Sequence, residues 1–233
     1  MPKNKETRIE DFAFDFLRSH YTTHMGARKI LTGQAERTKQ GHLVDGLFSF
    51  ENPDKSLFIA SLSTRNSADI ATLLNSYKSD GLGKLRFGTA AFLLVSSLWV
   101  GIQAINLSVF YALPLALVIA FAGLVLHSFL LKIRLQKKIE VLLDDLKNAP
   151  ADEQWLGISV SSLTFRRNEL AQHLLHVCQR RRIGVITVGK RAKVVLLQEP
   201  QTQNCRRGDF LSHYESEVRI RKALLGDSYL RVA

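Results

Sequence analysis

From Phe87 to Leu131 the chain runs for forty-five consecutive residues without an Asp, Glu, Lys or Arg, most of them Leu, Val, Ala, Ile and Phe. No other feature restricts the fold so tightly. A helix rises about 1.5 Å per residue and the hydrocarbon core of a bilayer is about 30 Å thick, so roughly 20 apolar residues make one crossing. The run is long enough for two. Its middle collects the polar and helix-breaking residues Gln103, Asn106, Ser108 and Pro114, which predicts one span over residues 88–103, a very short turn and a return over residues 110–131. A buried hairpin in a soluble protein has the same composition, but a chain of 233 residues leaves too little mass to wrap one.

The flanks set an orientation. Lys84 and Arg86 precede the run, Lys132, Arg134, Lys137 and Lys138 follow it, and the turn is uncharged. By the positive-inside rule both ends of the chain then lie in the cytoplasm, as in an integral protein of a bacterial inner membrane. The first residues are polar, so no secretory signal is expected there. The organisation that follows is a first half of an α/β domain (1–86), the hairpin (87–131), a helical extension (132–150) and a second half (151–233).

The net charge of +11 is uneven: the balance is +3 up to Phe87 and +8 from Lys132 onward. Such an excess suits nucleic acid or an anionic membrane surface. The basic groups Arg180, Arg181, Arg182, Lys190, Arg191 and Lys193 could track phosphates, but no aromatic residues are interleaved with them to stack bases. Solvated charge or contact with anionic lipid is therefore the more economical reading. Cys178 and Cys205 form no CxxC pair, and with His173, His176 and His213 they match no zinc spacing. The sequence contains no GxxxxGK[ST], HExxH or GxSxG, and no GxGxxG after a strand, so ATP hydrolysis, zinc proteolysis, α/β-hydrolase chemistry and dinucleotide binding have no support.

In chain order, Thr7-Arg-Ile-Glu10 has the form of a capping box and opens a helix with Ile9, Phe12, Ala13, Phe16 and Leu17 on one face, ending near Ser19 or His20. Residues 27–31 suggest a short strand and residues 33–41 a polar loop. Residues 42–50 alternate as a strand, residues 52–55 carry turn chemistry, and residues 57–62 form the second arm of an antiparallel pair. Asn66 and Asp69 can cap a helix that stops at Gly81 and Gly83. Beyond the hairpin come an amphipathic helix over 132–146, a loop at 148–153, a strand near 155–160, a helix over 169–181, strands at 183–188 and 193–198, and a last helix over 209–225. Without the insert the core order reads helix, three strands, helix, two strands, helix: an α/β (α+β) sandwich interrupted by its own anchor.

This order resembles the restriction-endonuclease-like, or PD-(D/E)XK, nuclease superfamily. Its core begins with a helix that often carries a Glu, followed by a hairpin with an Asp on the first arm and (D/E)-x-K on the second, then a helix and another strand. The resemblance covers residues 7–65 and 165–198. It implies that Glu10 and Asp45 hold the places of acidic metal ligands and that Ser61 and Ser63 stand where the acid and the lysine belong. Chemistry of that type uses carboxylates to hold Mg²⁺ and a lysine to position water, and two hydroxyls supply neither. Only a migrated acid such as Glu169 and a base such as Arg65 could refill the site.

Glu10 is accounted for by the capping box. Asp45 has two readings, a metal carboxylate or a residue at a bulge or edge, since strands disfavour Asp. The expectation is thus a membrane-anchored, inactive nuclease-like domain without a cofactor, serving as a binding or scaffold subunit. Small Gly101, Ala104, Ala120 and Gly123 and polar Gln103, Asn106 and His127 suit packing against a membrane-protein partner or a second copy. The rivals are a tethered Mg²⁺-dependent nuclease with a rearranged site and a module that tethers nucleic acid without chemistry.

Overall fold

The computed structural model describes residues 9–226, apart from residues 53, 55, 107, 190–192 and 206–207. Thr7 of the expected capping box, and Lys190 and Arg191, lie outside the described residues. The chain is a mixed α/β protein with six α-helices and an open six-stranded mixed sheet among those residues.

Helix α1 (Ile9–His24) runs a turn further than the periodicity predicts. Ala13, Leu17 and Tyr21 recur every four residues with no exposed surface, so Tyr21 continues the buried stripe past His20. The first strand is a correction: β1, expected as a short strand at residues 27–31, lies instead at Leu31–Arg37, sharing only Leu31 with that range and running into the stretch read as a polar loop. It lies at the edge of the sheet and, among the described strands, pairs with β2 (Leu43–Glu51). An edge strand needs no buried face on its outer side, so Thr-Gly-Gln-Ala-Glu can form one through backbone bonds alone. β3 (Leu57–Ser63) pairs antiparallel with β2, with Leu47 opposite Ser61 and Gly46 opposite Leu62.

After α2 (Ser67–Asp80) the chain leaves for the hairpin of α3 (Leu85–Gln103) and α4 (Val109–Asp144). It returns through a 3₁₀ turn to β4 (Glu153–Ile158), which pairs in parallel with β3 on one side and β5 on the other. Trp155, Leu156 and Ile158 have no exposed surface, as a strand covered on both faces requires. β4 thus welds the two halves of the sequence into one sheet. α5 (Glu169–Arg180), β5 (Ile183–Val188), β6 (Val194–Gln198) and α6 (Glu217–Leu225) complete the order. The expected helix over 209–225 is broken: a 3₁₀ turn (Phe210–His213) precedes fully buried Tyr214, whose hydroxyl donates to the Pro150 carbonyl at 2.9 Å.

The strands lie in sequence order, β3, β4 and β5 parallel and the rest antiparallel. α1 covers one face, over Phe48, Phe50, Phe58, Leu62, Trp155 and Ile186. Its close approach depends on Gly46, where a Cβ would stand 2.6 Å from the Phe14 ring. On the other face α2, α5 and the last turns of α4 cover Leu156, Ile158, Ile183 and Val185, while α6 covers Val44, Leu47 and Ile59.

Helices α3 and α4 are each long and apolar enough to cross a membrane, and the rest of the chain does not wrap them. Only 6% of the most apolar window of α3, and 17% of that of α4, is buried. They pack on each other through small residues: Ala112, Ala116 and Ala120 form a stripe, Gly101 meets Ala112, and Gly123 leaves room for Leu93. Thr89 Oγ1 and His127 Nδ1 meet at 3.3 Å across the same seam. Gly101, Ala120, Gly123 and His127, expected to face a partner, thus serve the hairpin itself. Phe92, Trp99, Phe110, Val118 and Phe121 point outward, Phe110 with 91% of its surface exposed. α4 does not stop where its apolar run ends: Ile139, Leu143 and Leu146 of its continuation are buried in the core, each contributing about 1.5–3 kcal/mol.

Candidate functional site

Strand alternation puts Asp45, Ser61 and Ser63 on the face of the sheet away from α1, since Gly46 and Leu62 between them turn toward it. There the end of β3, the start of α2 and the end of α4 enclose a cavity of about 210 Å³, lined by Ser61, Ser63, Arg65, Asn66 and Asp145 among others. The Asn66 amide donates to the Leu142 carbonyl at 2.8 Å and to Asp145 Oδ2 at 3.0 Å. It therefore ties α2 to the foot of α4 and makes no side-chain cap of its own helix, contrary to the sequence reading.

Asp45 stands where the ladder lapses: Val44 and Gly46 pair with β1 on either side of it, Ala35 across from it has φ 54°, and pairing with β3 begins only at Gly46. Its Oδ2 accepts the backbone N–H of Thr64 at 2.7 Å and of Arg65 at 2.8 Å, with the Thr64 hydroxyl at 3.3 Å. The carboxylate thus holds the turn from β3 into α2, the reason an Asp occupies a central strand. Glu10 stands in the first turn of α1, the helix packed on the opposite face, and does not line the cavity. Glu169 is bound to Lys132 at 2.7 Å, and the contact holds its carboxyl below its ordinary range. Arg65 does line the cavity beside the two serines. Among the described residues no three His, Cys, Asp or Glu side chains converge as a metal-binding group. The cavity offers hydroxyl, amide and guanidinium donors beside one carboxylate, a set that can bind a small polar or anionic group.

A second polar centre, on the α1 side, was not read from the sequence. The Tyr21 hydroxyl donates to Glu153 Oε2 at 2.7 Å and accepts from Trp155 Nε1 at 2.7 Å, while Thr202 donates to Glu153 Oε1 at 3.1 Å. Burial pushes the Glu153 carboxyl and the Tyr21 phenol above their ordinary values. The signal was present: Tyr21 extends the Ala13–Leu17 stripe, and Glu153 and Trp155 alternate onto one face. Beside it an open groove of about 750 Å³ carries Asp152, Asn204, Asp209 and Arg221. Asp152 accepts the Ile59 N–H at 2.8 Å, and burial raises its carboxyl to about 6. Asp209 pairs with Arg221 at 2.8 Å.

Among the described residues, Arg180, Arg181, Arg182 and Lys193 do not form one patch. Arg181 is tied to Asp144 at 2.9 Å, leaving Arg180 and Arg182 exposed at the end of α5. Lys193 is exposed at the other end of β5, roughly 20 Å away along a six-residue strand.

No family model, curated protein or solved structure matches this chain.

Proposed function

We propose that this chain is a restriction-endonuclease-like domain that binds instead of cutting, anchored by the α3–α4 hairpin with both soluble halves on the cytoplasmic side, and serving as a scaffold subunit of a membrane assembly. The order α1, the β2–β3 hairpin with Asp45 on its first arm, α2 and β4 supports the fold assignment. The outward apolar faces of α3 and α4 and the cationic residues at their ends support the anchor.

One observation carries the non-catalytic reading. The carboxylate at the metal-ligand position holds the backbone of Thr64 and Arg65, with Ser61 and Ser63 beside it in place of an acid and a lysine. The test incubates the detergent-solubilised chain with duplex DNA and with RNA in Mg²⁺ or Mn²⁺. No cleavage is expected, and cleavage that disappears in Asp45→Ala would establish a tethered nuclease instead. The scaffold role predicts a species larger than one chain in mild detergent; a strict monomer contradicts it.

A further inference from the structure

The segment between β4 and α5 is held in an unusual way. Thr164 and Phe165 are buried, the Thr164 hydroxyl donates to Asn75 Oδ1 at 3.2 Å, and Asn168 donates to the Leu74 carbonyl at 3.0 Å. Just before the first anchor the chain presents Leu163 with 62% of its surface exposed, and between the anchors exposed Arg166 and Arg167. Arg167 is held at φ 55°, a left-handed conformation that costs a non-glycine residue energy. An exposed leucine followed by two arginines on a pinned loop has no role in the sheet or the cavity.

Two contacts fix where this loop stands relative to the apolar hairpin. Lys78, seven residues before α3 begins, donates to the Leu163 carbonyl. Lys132, the first charged residue after the apolar run, pairs with Glu169 at 2.7 Å, two residues beyond Arg167. The loop is thus tied to both strands of chain that enter the hairpin, at the level where its apolar surface starts. Lys78 and Lys84 are exposed at the same level, with Asp80 the nearby carboxylate and Glu169 neutralised by Lys132. Arg180 and Arg182 stand at the far end of α5, about 18 Å from this level along a twelve-residue helix.

We propose that the loop from Ser161 to Arg167 is a second membrane contact: Leu163 enters the headgroup layer, and Arg166 and Arg167, with Lys78 and Lys84, bind anionic lipid phosphates. An apolar side chain flanked by cations is the composition of a surface that lies on an anionic bilayer. The inference rests on the hairpin crossing the membrane, and it moves lipid contact away from Arg180–Arg182. Its effect is to fix the tilt of the domain on the bilayer, since the hairpin alone is one point of attachment and the loop a second.

The test uses the full chain with Cys205→Ser, leaving Cys178 buried, and a single cysteine introduced by Leu163→Cys, Val118→Cys or Arg180→Cys. Each is labelled with a polarity-sensitive fluorophore and reconstituted into phosphatidylcholine vesicles with or without phosphatidylglycerol, some carrying brominated acyl chains. Quenching is expected at 118 in all vesicles, at 163 chiefly with phosphatidylglycerol, and at 180 in none. Neutralising Arg166 or Arg167 to Gln should lower the docked population at 163 about five-fold each. Quenching at 118 without quenching at 163 overturns the loop contact alone; absence of quenching at 118 overturns the membrane reading beneath it.

Discussion

Replacing Asp45 by Ala tests the structural role assigned to the acidic residue near the start of β2. The substitution removes the shared acceptor of two backbone N–H groups at 2.7 and 2.8 Å and a longer bond from the Thr64 hydroxyl. Hydrogen bonds to a charged acceptor contribute about 1.5–3 kcal/mol each. Asp45 is half-buried, so water can reclaim part of the loss, and the expected cost is about 2–4 kcal/mol. Asp45→Asn keeps an acceptor oxygen but loses the charge, for an expected cost of about 1 kcal/mol. Urea unfolding in mild detergent measures both, followed by the fluorescence of buried Trp155 in a Trp99→Phe background. A cost for Asp45→Ala below about 0.5 kcal/mol, the range of an ordinary surface change, would falsify the holding role and return Asp45 to the candidates for metal binding.

Other perturbations reach the rest of the molecule. Tyr21→Phe strips partners from Glu153 and the Trp155 ring N–H together, and should destabilise the chain by about 2–4 kcal/mol in the same unfolding assay; an unchanged midpoint would show that the network contributes nothing. Asp152 has a folded value near 6 against an ordinary 3.8, so the folded chain holds that proton to higher pH than the unfolded chain. Its contribution is therefore present below about pH 4 and lost as pH rises toward 6, with a size of about 1 kcal/mol once its partial exposure is discounted. Asp152→Asn, which still offers an oxygen to the Ile59 N–H, should flatten that slope and raise stability at pH 7; a lower stability there would mean that the ionised group is favourable where it sits. Within the hairpin, Ala116→Leu forces a larger side chain into the α3–α4 seam and should cost about 1–3 kcal/mol of thermal stability in detergent, whereas Val118→Leu on the outward face should leave the melting temperature unchanged.

What could be read without coordinates follows physical lines. The hairpin, α5 and β5 were legible because long apolar runs, a helical stripe and a run of buried β-branched residues each point to one local structure. The cap of α5, in which the Asn168 side chain accepts from Leu170 and Ala171 at 3.1 Å, is not among the expectations. β1 was not legible because an edge strand answers to backbone pairing with β2, and its residues alternate in nothing. The weight of β4 was missed for a related reason: six residues covered on both faces carry no periodicity, and what identifies them is their place between β3 and β5. Asp45 was visible as an anomaly, yet its partners, the backbone groups of Thr64 and Arg65, depend on the turn into α2. The small residues of the hairpin were visible too, but composition does not say whether such a stripe meets a foreign helix or, as with Ala112, Ala116 and Ala120, its own.

The most direct measurement is cysteine accessibility in sealed, right-side-out membrane vesicles. Single cysteines are placed at Asn106 in the turn and at Arg134 beyond the hairpin, with Cys205→Ser as background. A membrane-impermeant thiol reagent should label position 106 from outside and reach position 134 only after the vesicles are opened. Labelling of both from outside, or release of the chain from the membranes by alkaline carbonate, would mean that α3 and α4 do not cross.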